Sequence, residues 1–129
     1  MSFSNYFEDE ILDNIFGQSS FYLPLISVGL SRADPGEDES GLDEPGGSYE
    51  RIETEAFDWN YSLNGEITNA WEFLFPEATT DWGLITHFVL FDEDYGGTMI
   101  MYGLLDTPFN VVTGYQPSFV ANALSITLD

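Results

Sequence analysis

Cysteine and lysine are both absent from this 129-residue sequence, and Arg32 and Arg51 are its only strongly basic residues. Without cysteine there is no disulfide and no thiolate metal site, and the redox compartment cannot be inferred. No apolar run reaches the roughly 20 residues that a membrane-spanning helix needs. The opening residues, Met1 to Glu10, are acidic where a secretory leader is basic. The expectation is a protein made and kept in a cytoplasm, or assembled there into something larger. Against the two arginines stand 23 acids, giving a net charge of −21. Nucleic acids and anionic membranes are bound through basic footprints, so neither is an expected partner. The acidity fits a solubility surface or a face that meets a basic partner.

What is present is enough apolar material to fold. The chain is 43% hydrophobic and 16% aromatic, which sets it apart from charged disordered sequences. Its length suits one domain, 1–129, with a helical arm at 1–17 and a β-sandwich over 18–129. In the arm, Phe7, Ile11 and Ile15 recur at i+4 beside Leu12 and Phe16, predicting a helix over 4–16. Asn5 with Glu8 resembles a capping box, and Gly17 suits the position just past the helix. The arm either covers one end of the sandwich or docks on a neighbouring subunit.

The rest reads as strands. Phe21–Leu30 predicts the first, with Pro24 near its start or on an edge. Ser31–Gly47 is a long acidic loop rich in Gly and Pro, and such loops are functional or mobile. Tyr49–Trp59 predicts a strand with a bulge, and Glu66–Phe75 another with Ile67, Trp71, Phe73 and Phe75 on one face. Leu84–Phe91 is almost wholly apolar, as a strand buried on both faces should be. Gly96-Gly97 turns the chain into Thr98–Leu105, and Pro108–Val112 and Phe119–Leu128 supply the last strands. The fold class is all-β: an antiparallel β-sandwich or jelly roll with a short N-terminal helix.

No catalytic pattern stands out. His87, the one histidine, lies in the most apolar strand, where a packed side chain is the expectation. Asp34, Asp38 and Asp43 could offer hard oxygen ligands to calcium, but their spacing is not that of an EF-hand. No cofactor is expected. The chain has many carboxylates, as glycoside hydrolysis requires, but nothing marks one pair over another. The residues expected to mediate interactions are Asp34, Glu37, Asp38, Glu39 and Leu42 in the acidic loop. Trp59, Tyr61, Trp71 and Tyr115 join them as aromatics outside the core.

Phe75-Pro-Glu-Ala, Asp81-Trp82-Gly83 and Thr86-His87-Phe88, ending in Phe91-Asp92, resemble a recurring segment of small phage virion proteins. The likeness extends to Ile11–Gly17, Tyr22–Ser31, Ala33–Gly36, Gly41–Arg51 and Ala123–Asp129, in the same order. It does not extend to Asn60–Glu72. Members of that family are commonly labelled tail fibre or minor structural proteins, and small sandwiches of this kind also decorate capsids. The resemblance therefore implies a non-enzymatic virion structural protein, with Trp82, His87 and Phe91 as scaffold. The leading expectation is a capsid decoration (cement) protein that binds the major capsid protein and itself, as a homotrimer on the capsid exterior. Its negative charge suits the outside of a DNA-filled shell. The alternative is a tail, baseplate or fibre-anchor protein. A different class, an acidic DNA mimic, fits less well because 15 of the 23 acids fall within residues 1–66, many in one loop.

Overall fold

The apolar run at Leu84–Phe91 becomes the centre of the molecule. A computed structural model describes residues 1–20 and 25–128. Among the described residues there are nine strands: β1 (Ser2–Phe3), β2 (Ile26–Ser31), β3 (Ile52–Thr54), β4 (Glu66–Thr68), β5 (Phe73–Leu74), β6 (Gly83–Phe91), β7 (Met99–Val111), β8 (Ser118–Phe119) and β9 (Ser125–Thr127). One helix, α1 (Asn5–Ile15), follows β1. Five strands form an antiparallel sheet in the order β1-β7-β6-β2-β3, so β6 is paired on both sides. The remaining strands form two antiparallel ribbons, β4 with β9 and β5 with β8.

The sheet buries both faces at His87–Phe91, as the run predicted, whereas Leu84 at the other end is exposed. On one face Val28, Leu30, Phe88, Leu90, Ile100 and Met101 share a core with Phe73, Phe119 and Ile126 of the ribbons. On the other, Val89, Phe91 and Met99 are covered by Leu42 and Tyr102. The expected all-β, sandwich-like fold is observed, with its second layer divided into short ribbons. Gly103 stands opposite Phe88 in the ladder, and a side chain there would collide with the Phe88 ring. Trp82, Phe91 and His87 are all buried, which fits their expected scaffold role.

Several segments depart from the sequence expectation. The N-cap of α1 is Ser4 rather than Asn5. Ser4 is extended, and its Oγ accepts from Phe7 N at 3.2 Å while donating to Met99 O at 2.6 Å. That second bond needs the neighbouring strand, so the sequence alone could not select the cap. Gly17 does follow the helix with a positive φ. The expected stripe is half used: Phe7 and Ile11 are half-buried, whereas Leu12, Ile15 and Phe16 are exposed. Within Phe21–Leu30, residues 21–24 lie outside the described residues and the strand occupies Ile26–Ser31.

Of the predicted Tyr49–Trp59 strand only β3 forms. A 3-10 turn, Ala56–Asp58, ends it, with Asp58 accepting from Glu55 N at 2.8 Å. Glu66–Phe75 divides into β4 and β5, and Trp71 leaves the face of Phe73 and Phe75 to become exposed. Pro108–Val112 is no separate strand, since its residues up to Val111 are the end of β7. The β6–β7 pairing jumps from Ile85 with Phe109 to His87 with Leu104. Residues 105–108 of β7 therefore bulge opposite Thr86 alone. On its other side, β7 is paired by β1 only at Met101 and Tyr102.

Candidate functional site

The acidic loop is laid down on its own chain. Arg32 grips Asp43 bidentately at 2.8 and 3.1 Å and donates to Trp82 O at 3.3 Å. Asp34 and Asp38 each accept from a backbone N–H two residues on, in Gly36 and Ser40. The bonds to Ser40 hold the exposed Asp38 carboxyl below the usual carboxylate range. Glu37 accepts from Ser2 Oγ at 2.9 Å, and Glu39 accepts from Met99 N at 2.6 Å. Leu42 covers the second hydrophobic cluster. Among the described residues no three acidic or histidine side chains gather as a cation site, so Asp34, Asp38 and Asp43 are not brought together for calcium.

Arg51 is the second anchor, and its side chain is 8% exposed. Its guanidinium meets Glu44 at 2.6 and 3.0 Å and lies 3.3 Å from the Phe91 ring centroid. It also donates to Glu93 O and Gly96 O. Tyr49 Oη donates to the same Glu44 at 2.6 Å and accepts from Leu30 N at 3.0 Å. Burial, then the neighbouring Glu44 carboxylate, push the Tyr49 phenol far above its ordinary range. Both arginines are thus committed to internal carboxylates.

His87 is packed, with Nδ1 2.7 Å from Thr86 Oγ1 and its ring beside Tyr102. Burial pushes its pKa down, and the N-terminal ammonium adds to this against an opposing pull from Asp34. A histidine that resists protonation when folded leaves the unfolded chain binding the extra proton. Its contribution therefore lowers stability as pH falls through about 6.5, the unfolded value. In His87→Asn this component vanishes, so the stability–pH curve of the variant, from urea unfolding at several pH values, should be flatter there than the parent's. Parallel curves would exclude the assignment.

Three of the four aromatics expected outside the core converge. Trp59, Tyr61 and Trp71, with Phe57, border an apolar groove of about 1070 Å³. Leu90, Ile100, Met101 and Ile126, all buried, form its floor, and Phe7 of α1 contributes to its lining. Tyr61 is 100% exposed, Phe57 67% and Trp71 59%. Trp59 requires a correction: it is half-buried, its ring edge-on to Phe73 at 5.3 Å and its Nε1 bonded to Thr54 Oγ1 at 2.9 Å. Tyr115 is exposed but does not line the groove.

The groove wall is fixed by the backbone behind it. Trp71 Nε1 donates to Phe57 O at 3.0 Å, and Trp59 bridges to Asn69. Asn69, fully buried, donates through Nδ2 to Trp71 O, Val120 O and Phe119 O at 2.7, 3.0 and 3.4 Å. Its Oδ1 accepts from Leu124 N at 2.9 Å. Sequence reasoning missed Asn69. An Asn between Ile67 and Trp71 in a strand-like stretch was the available signal, since a buried polar residue there must be bonded.

No helix among the described residues is long and apolar enough to cross a membrane. A comparison with curated proteins finds no match. Residues 2–127 match the family model described as Podophage GP4 fiber I protein gp80. The chain belongs to that family, and is a phage structural protein of the fibre type.

Proposed function

We propose that this protein is a non-enzymatic structural module of the phage tail-fibre apparatus, attached to a neighbouring virion protein through its aromatic groove. The family match supports the fibre placement over the capsid-decoration expectation. The observation that carries the attachment site is the convergence of Phe57, Trp59, Tyr61 and Trp71 on an apolar groove. Large aromatics exposed around an apolar floor are costly to leave in water and are typical anchors of protein interfaces. The acidic loop, bonded to its own sheet, serves this module as part of a rigid body.

Imaging of intact virions with this protein labelled tests the placement. The expected result is a small number of copies at the tail fibres. Many copies arrayed on the capsid shell would overturn it and favour a decoration protein, whose negative charge also suits a capsid exterior.

A further inference from the structure

We infer that the groove receives a segment of a different virion protein, one that combines apolar anchors with lysine or arginine, and not a second copy of this chain. The inference rests on the docking role proposed for the groove. The charge of the molecule decides the occupant. Arg32 and Arg51 are the only two Lys or Arg residues, and each already faces an internal carboxylate, Asp43 and Glu44. A second copy would bring a further charge of −21 to a chain that already carries −21, and no uncommitted guanidinium to offset it. Facing like charges disfavour the wrong partner and steer in the complementary one.

The lining adds what charge alone lacks. A purely electrostatic contact needs no cavity, whereas this groove has an apolar floor that an aliphatic or aromatic anchor can fill. Its exposed rings, Phe57, Tyr61 and Trp71, can also receive a cation over their faces. Apolar anchors flanked by Lys or Arg satisfy both features at once.

The test is photo-cross-linking within assembled virions. p-Benzoylphenylalanine replaces Trp71 in one variant and Tyr61, whose side chain is fully exposed and structurally dispensable, in a second. The expected product joins this chain to another virion protein, through a peptide with more Lys and Arg than Asp and Glu and with apolar residues among them. Trp71→Ala should reduce the copies retained on washed virions about tenfold, as loss of an interface anchor does. A link to a second copy, a link back to the same chain, a link to an acidic or uncharged segment, or no link from either position would each overturn the inference. Location is scored separately by imaging. A basic, apolar partner found on the capsid shell would sink the fibre placement and leave this inference standing.

Discussion

Asn69→Ala should destabilise the protein by about 3 kcal/mol. Its two amide N–H groups, shared among three carbonyls, and its carbonyl oxygen all lose their partners, about three bonds with a net worth of about 1 kcal/mol each. The buried Leu124 N–H loses its side-chain acceptor, whereas Val120 O keeps its bond from Ala123 N. Asn69→Asp should be no better. It keeps the shape and the acceptor for Leu124 N, but it removes the donors and sets a carboxylate against carbonyl oxygens. Because Asn69 joins the Trp71 segment to residues 119–124, the groove wall loosens with it. Urea unfolding of both variants measures the loss, and an Asn69→Ala cost below about 1 kcal/mol would show that these bonds do not hold the second layer together.

Arg51→Met should cost about 3–5 kcal/mol, the range for breaking a largely buried ion pair from one side. Arg51 joins three separate pieces of chain: Glu44 at the end of the acidic loop, the Glu93 and Gly96 carbonyls of the hairpin, and the Phe91 ring of the central strand. Methionine replaces the stacking over Phe91 but leaves Glu44, 21% exposed, without its cationic partner and with only Tyr49 Oη donating to it. Glu44→Leu added to Arg51→Met should restore part of the stability, since a vacated buried pair is better filled by apolar atoms than half kept. Thermal unfolding of the single and double variants decides this. A double variant no more stable than Arg51→Met would mean that the stranded carboxylate is not the source of the loss.

The parts of this fold legible in the sequence are those that local pattern fixes. The apolar run of β6, the glycine turn at Gly96-Gly97 and the helix before Gly17 each carry a signal within a few residues. The parts that were not legible depend on distant partners. Ser4 is selected as cap by Met99 O, on a strand far along the chain. Trp59 is drawn half inward by Phe73 and Thr54, and Trp71 stays outside because its indole N–H finds Phe57 O at the surface. The sequence marked Trp59, Tyr61 and Trp71 one by one as interaction residues. Their convergence on a single groove emerges only when β4, β9 and the turn at Ala56–Asp58 are brought together. The acidic loop shows the same dependence on distant partners. Its carboxylates Asp34, Glu37, Asp38 and Asp43 are exposed, and Arg32, Leu42 and Glu39 stitch it to its own chain, contacts that composition does not reveal.

The bulge in β7 bears on how such a protein survives before it reaches a particle. An edge strand with a free row of N–H and C=O groups invites identical chains to add on, and components made in quantity are most exposed to that hazard. Beyond Tyr102 the outer side of β7 has no strand partner among the described residues. There the chain departs from regular pairing at Leu105, Asp106, Thr107 and Pro108, and Pro108 has no N–H to offer. The strand thus stays anchored to β6 while presenting a distorted margin with one donor missing, a poorer template for strand addition than a regular edge.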